Sequence, residues 1–282
     1  GFLSVTLSEH HGSPDAYLPS PMVLGAAVPN KAFTSLNTGS WWRQLSGSGC
    51  VTFVSIGSIG STASSIPSTH WNSEYVAIRS TVSWSWTTSL RSAERRRGGE
   101  TGVVSVKGLR GDSVWRALDD GAWDPALFEA CLCRSLNLKP ADESNRHTYP
   151  EREDLPGLLD RDPVAYQVEY ADGLRATMLL MPGLVKEMMV AARIKDRADP
   201  FSLLFYLGAG HEMQPNFFNP LCHHIERMML TGQPSYPIER TLLTTGLTAA
   251  GVESLWQDEK KLVTPHLDIQ YQVDEASTFR RT

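Results

Sequence analysis

Cys222-His223-His224 and, beyond the Gly- and Pro-containing turn that follows, Glu239-Arg240 are the residues whose types and spacing invite a chemical reading. An imidazole titrates near neutrality, so His223 or His224 can move a proton or hold a substrate hydroxyl. Arg240 carries a planar fork of donors that suits a carboxylate or a phosphate. His223, His224 and Arg240 are therefore the substrate-contact candidates. Each also has a plainer reading, and in each case it is the stronger one. On a helix His224 falls two turns after Phe217 and edges an apolar face. Arg240 more often closes an ion pair than clamps a ligand. Glu239 suits the positive end of a helix dipole.

Other polar groups offer less. Cys222, His223 and His224 are neighbours that point around a helix axis, and no second pair with ligand spacing accompanies them, so they do not spell a metal site. Cys131-x-Cys133 has the same fault and reads as one side of a helix with one buried thiol. Arg95-Arg96-Arg97 reads as a solvated basic loop. Arg110-Gly111-Asp112 reads as a chance turn. Tyr166, Tyr170, Phe201, Phe205 and Tyr206 read as sheet packing. A hydrolase using His223 or His224 is a third reading, and no nucleophile in a strand-turn-helix context supports it.

Composition bounds the function classes. The chain has 282 residues, a net charge of −5 and a pI of about 5.9, which leaves no electrostatic footprint for nucleic acid. No apolar run reaches the roughly 18–20 residues of a membrane span, and the N-terminus shows no secretory pattern. The four cysteines, Cys50, Cys131, Cys133 and Cys222, are too scattered for a disulfide framework, which points to a reduced, cytoplasmic setting.

The chain changes character near Arg91. Before it, the charged residues are Glu9, Asp15, Lys31, Arg43, Glu74 and Arg79, amid frequent Ser, Gly and Thr and the tryptophans Trp41, Trp42, Trp71, Trp84 and Trp86. No helical stripe there exceeds two turns, so residues 1–92 are expected to be irregular and not a stable domain. Two pieces, 50–56 and 76–86, have strand character.

Residues 93–274 read as one α+β domain, and 275–282 as a tail. A strand is expected over 103–109. Asp124-Pro125 opens a helix to about 137, because Asp is a good N-cap and Pro at the first helical position loses no hydrogen bond. Residues 139–162 form a polar loop. Val164, Tyr166, Val168 and Tyr170 alternate, and Asp172-Gly173 signals a hairpin into 174–181. Strands at 185–195 and 201–207 follow. Phe217, Phe218, Leu221, Ile225, Met228 and Met229 mark one helix, which Gly232 ends. Ile238 to about Gln257 is the next, with Leu242, Leu243, Leu247, Ala249, Ala250, Leu255 and Trp256 apolar, and 263–272 closes with a strand. This order implies a mainly antiparallel sheet with helices packed on one face.

This part resembles the C-terminal domain of the glucose–fructose oxidoreductase and inositol dehydrogenase (Gfo/Idh/MocA) family. The resemblance covers about residues 94–271. It rests on the helix around His223-His224-Ile225-Glu226, on Thr231-Gly232-Gln233-Pro234 and on Pro237-Ile238-Glu239-Arg240 leading into a helix rich in small residues. Ser254 and the late segment Pro265-His266-Leu267-Asp268-Ile269 complete it. Arg95-Arg96-Arg97-Gly98-Gly99-Glu100-Thr101-Gly102-Val103, Gly111-Asp112-Ser113-Val114-Trp115 and Glu239-Arg240-Thr241-Leu242-Leu243-Thr244-Thr245-Gly246 resemble one branch of that family more closely. The resemblance implies an NAD(P)-dependent parent enzyme acting on a sugar-like or polyol substrate, with this domain on the substrate side and its sheet available for a homo-oligomer contact. The cofactor would carry the hydride chemistry. A nucleotide-binding G-x-G-x-x-G after a strand is absent from the sequence, as is Glu-Lys-Pro, the family's usual lysine motif. The chain alone is therefore expected to bind no NAD(P). A non-catalytic binding or oligomerisation module is the alternative.

The break near Arg91 carries the expectation that residues before it are read out of frame or belong to a misassembled fragment. The nucleotide sequence tests this. Another upstream frame should encode a dinucleotide-binding domain ending just before Arg91; a gene in which the present frame alone gives family-like coding contradicts it.

Overall fold

The computed structural model describes residues 52–57, 93–205 apart from 147, 186 and 196, and 219–273. Residues 52–57, 205 and 219–221 are described by their backbone alone. The expected strand at 76–86, the aromatic residues Tyr206, Phe217 and Phe218 and the tail 275–282 lie outside the described residues.

A hairpin forms the centre of the sheet. Strand β4 (Val164–Tyr170) turns through Ala171-Asp172-Gly173 into β5 (Arg175–Leu180), pairing from Val164 opposite Leu180 to Glu169 opposite Arg175. Strand β3 (Val103–Arg110) lies antiparallel on the other side of β4, with a register shift between Val103 and Ser105. Such a shift lets both Val103 and Val106 face the same core, although odd spacing should separate them. The short β8 (Leu262–Val263) edges β3. Strands β6 (Met188–Ala192) and β7 (Phe201–Phe205) form a second antiparallel pair.

Strand β1 (Thr52–Gly57) lies between these two groups, parallel to β5 and antiparallel to β6. The seven-stranded order is β7-β6-β1-β5-β4-β3-β8. The strand expected at 50–56 thus exists, and six residues of the N-terminal third are regular rather than irregular. A separate two-stranded pair joins β2 (Glu100–Thr101) to β9 (Gln270–Tyr271).

Helices cover both faces of this sheet, which corrects the expectation of one. Val164, Tyr166, Val168, Tyr170, Met178 and Val190 look to one side, where Leu243, Leu247 and Ala250 of the long helix meet them. Ala165, Leu179, Met189 and Ala191 point the other way. There they meet Val114 and Trp115 of helix α1 (Asp112–Asp119), and Leu127, Phe128, Cys131 and Leu132 of helix α2 (Pro125–Leu132). The strands are apolar at consecutive positions, not only at alternate ones, and a sheet of that composition must be covered twice. The α+β description holds: one parallel pair aside, the sheet is antiparallel.

Three further boundaries differ from expectation. Helix α1 went unread because its two core residues, Val114 and Trp115, are adjacent rather than periodic. Helix α2 stops at Leu132 rather than near 137. Its cap is as expected, with Asp124 accepting from the Ala126 N–H at 2.9 Å. Its end is drawn off by Glu187, which accepts from Ser135 Oγ at 2.9 Å, the Leu136 N–H at 3.0 Å and Asn137 Nδ2 at 2.6 Å. Leu136 is left 70% exposed, outside the core. The final strand breaks into β8, a 3-10 turn over Pro265–Leu267 and β9. Pro265 has no N–H to give a ladder, and Thr264 Oγ1 instead donates to the Val103 carbonyl at 3.0 Å.

The loop over 139–162 contains one helical turn, α3 (Leu155–Leu158). Helices α4 (Asn219–Thr231) and α5 (Ile238–Trp256) fall where expected. Gly232, at φ +66°, ends α4 and donates its N–H to the Met228 carbonyl at 2.8 Å. The expected apolar face of α4 is only partly covered, since Ile225 is half-buried while Met228 and Met229 are exposed.

Helix α5 rests on the sheet at unusually short range. A methyl group on Gly251 would lie 2.8 Å from the Tyr166 ring, and one on Gly108 of β3 would lie 2.7 Å from Leu255. Ser254 Oγ fixes the same crossing, accepting from the Gly108 N–H at 2.8 Å and donating to the Lys260 carbonyl at 2.6 Å. Gly251→Ala should therefore lower stability by about 1–3 kcal/mol through overpacking. Urea unfolding checks this: the midpoint should fall while the slope stays unchanged.

Candidate functional site: a buried ionic junction

Four buried charged residues, Glu94, Arg96, Glu100 and Arg240, lie where the first turn of α5 meets the segment that enters β3. Arg240 sits in that first turn, 5% exposed, and Glu94 opposite it is 1% exposed. Arg240 Nε donates to Glu94 Oε2 at 2.9 Å and Nη2 donates to Oε1 at 2.8 Å, a bidentate pair. The Tyr271 hydroxyl of β9 donates to Glu94 Oε2 at 2.8 Å. The Arg240 guanidinium also lies 4.6 Å from the centre of the Tyr236 ring. Burial acts to lower the Arg240 pKa, but the charge and hydrogen bonds of Glu94 outweigh it and hold the guanidinium above its ordinary value.

A second guanidinium lies in the same segment. Arg96 Nε donates to Asp172 Oδ2 at 2.6 Å, Nη2 to Thr101 Oγ1 at 2.6 Å and Nη1 to the Ala93 carbonyl at 2.8 Å. Its contact with Glu100 Oε1 is longer, 3.4 Å. The guanidinium stands 4.8 Å from the centre of the Tyr170 ring. Glu100 Oε1 also accepts from the N–H groups of Thr101 at 2.9 Å and Gly102 at 3.1 Å. Asp172 Oδ1 accepts from the Leu174 N–H at 3.3 Å and so shapes the hairpin turn as well. The expectation of a solvated Arg95-Arg96-Arg97 loop is corrected at its middle residue: Arg97 is exposed, but Arg96 is buried. Its aliphatic stem and planar head suit an interior where Asp172, Glu100 and Thr101 supply acceptors.

The candidates are distributed around this junction. Arg240 has its Nε–Nη2 edge occupied by Glu94, the ion-pair arrangement weighed from the sequence. His224 on α4 is buried and His223 is half-buried, with ring centres 5.5 Å apart in an edge arrangement. The turn between α4 and α5 touches both sides: Ser235 Oγ donates to the His224 carbonyl at 3.4 Å, and the next residue, Tyr236, stacks on Arg240. Of the cysteine pair, Cys131 is buried and Cys133 exposed, as expected of a helix side with one buried thiol. Burial pushes the Cys131 thiol up. Arg110-Gly111-Asp112 forms the turn from β3 into α1, with Gly111 at φ +58° and the Arg110 N–H donating to Glu259 Oε1 at 2.8 Å.

Sequence reasoning missed Glu94, Glu100, Asp172 and Tyr271 as partners. Arg96 and Glu100, four residues apart around Gly98-Gly99, were the only local signal; the pairing of Glu94 with Arg240 spans 146 positions and no local pattern encodes it.

The junction is a binding arrangement for its own side chains. Arg240 pairs with Glu94 and Arg96 with Asp172 in a largely buried setting, and such groups orient a fold rather than a substrate. Among the described residues no group of three His, Cys, Asp or Glu side chains is placed to hold a metal ion. Comparison with protein-family models and with curated proteins finds no match to the chain.

Removing one partner of the buried pair should expose its role. Arg240→Met leaves Glu94 buried without its partner, and should cost about 3–5 kcal/mol. Adding Glu94→Gln to that variant should recover a large part of the loss. A double-mutant cycle by urea unfolding measures both, and a loss below about 1 kcal/mol for Arg240→Met contradicts the assignment.

Proposed function

We propose that the chain contains the substrate-side α+β domain of an oxidoreductase similar to the Gfo/Idh/MocA enzymes. Its parent enzyme transfers hydride between NAD(P) and a sugar-like or polyol substrate. The observation that carries this reading is the meeting of two separate segments. Arg95 to Val103 and Glu239 to Gly246 both resemble one branch of that family, and Glu94, the residue just before the first segment, forms a bidentate pair with Arg240 in the second. Segments that share both a family resemblance and a physical contact support one inherited domain more strongly than either does alone.

In this reading the chain binds and orients, while the cofactor half of the enzyme supplies the hydride chemistry. Arg240 holds the start of α5 in place. His223, half-buried beside buried His224, is the better placed of the two imidazoles to meet a substrate hydroxyl. The setting is the reduced cytoplasm; no described helix is long and apolar enough to cross a membrane.

A binding or oligomerisation module is the second reading, and one observation favours it. Met228, Met229 and Leu230 at the end of α4, and Ile238 and Leu242 at the start of α5, are all exposed. Apolar side chains left exposed at the end of one helix and the start of the next are candidates for an association surface.

The intact chain should show no dehydrogenase activity and no fluorescence change on titration with NADH or NADPH; measurable nicotinamide affinity refutes the expectation that the cofactor half is missing from it. A sugar or polyol that raises the unfolding midpoint supports it through mass action. A homo-oligomer by light scattering, with no midpoint shift across a sugar and polyol panel, favours the second.

A further inference from the structure

Glu100 stands apart from the other acids of the junction. It is 2% exposed, and its Oε2 has no hydrogen-bond partner among the described residues. The guanidinium nearest to it is committed elsewhere: Arg96 makes its short contacts, both 2.6 Å, to Asp172 and Thr101 and reaches Glu100 only at 3.4 Å. Arg96 thus carries one positive charge between two carboxylates. Asp172 has a side chain 33% exposed to solvent, whereas that of Glu100 has no exposure. Two acids competing for one cation in unequal surroundings separate, with the wetter one keeping its charge and the drier one its proton.

We propose that the closure of this junction is proton-linked: seating the segment of Glu94 to Gly102 against the β4–β5 hairpin and β9 carries a proton onto Glu100, and releasing that proton loosens it. Four elements meet there. The segment itself brings Glu94, Arg96 and Glu100, the hairpin brings Tyr170 and Asp172, and β9 brings Tyr271; Arg240 reaches in from α5. Tyr170 and Tyr271 are pushed up by burial and by the carboxylates around them, so both stay neutral phenols and neither balances the charge of Glu100. Arg240 is engaged by Glu94.

The remaining electrostatics agree in direction. Burial raises the Glu100 carboxyl above its ordinary range, against the opposing pull of Arg96 and the Gly102 and Thr101 N–H groups. Burial also acts to raise Asp172, but the Arg96 hydrogen bond and charge outweigh it and hold that acid below its ordinary range. The signs differ accordingly. A raised acid stabilises the fold fully below its unfolded value and loses that contribution as pH climbs through the folded value. A depressed acid does the reverse and loses its contribution as pH falls. Asp172 therefore weakens the junction in acid, and Glu100 weakens it as pH rises above the ordinary carboxyl range.

Glu100→Gln keeps the shape and removes the titration. Equilibrium unfolding of the intact chain and of this variant is compared from pH 4 to pH 9. The folding constant of the wild type relative to the variant should fall by about tenfold per pH unit between the unfolded and folded values of Glu100, then level off. Parallel profiles overturn the proposal. Should the variant not fold, the carboxyl carbon resonance of Glu100 in the wild type decides. Titration above the ordinary glutamate value of about 4.3 supports proton linkage; titration at or below it overturns the idea.

Discussion

Two buried arginines set the terms for this fold. A guanidinium cannot shed its proton, so any interior that holds one must bring it acceptors with matching geometry. Arg240 obtains them from Glu94, which lies near the start of the continuous described segment, and Arg96 obtains them from Asp172 in the central hairpin. The long helix α5, the entry to β3, the β4–β5 turn and strand β9 are consequently pinned to one another by charge as well as by packing. Hydrophobic burial is non-directional and would tolerate several ways of laying α5 on the sheet. The bidentate pair allows few, and Ser254 at the far end of the same helix removes the remaining freedom with its bonds to Gly108 and Lys260.

Close approach and charge work together along α5. Gly251 and Gly108 let the helix sink until Tyr166 and Leu255 fill the gap, so that the sheet core and helix core become one cluster. The opposite face is packed in a different manner. There, short helices α1 and α2 lie over small sheet residues, Ala165 and Ala191, with Trp123 and Phe128 making an edge contact at 5.4 Å between ring centres. The two layers have unlike roles: one is long, ionic and fixed at both ends, the other is short and aromatic.

Much of this was legible in the sequence. Alternation in Val164 to Tyr170, the Asp172-Gly173 turn, the Asp124-Pro125 cap and Gly232 each state a local backbone requirement, and each element formed where its signal lay. What escaped was non-local. The second helix layer depended on reading Ala165, Leu179 and Met189 as core on a face where alternation had predicted none. The breaking of the last strand followed from Pro265, whose presence argued against a continuous ladder. At the candidate site, Arg240 was visible but its partner was not, because Glu94 becomes a neighbour only once the sheet has formed. His223 and His224 carried a chemical invitation by type alone, and residue type does not report where a ring will point.

Strand β1 gives the sheet an unusual dependence. Its neighbours β5 and β6 follow one another in sequence, yet they do not pair; Thr52–Gly57 lies between them. The sheet is thus two ribbons, β8-β3-β4-β5 and β6-β7, made continuous by six residues supplied from far upstream. Without that insert, β5 and β6 would each present a bare row of N–H and C=O groups on apolar strands. Such edges template pairing with other chains. The hexapeptide therefore acts as an internal shield for both inner edges.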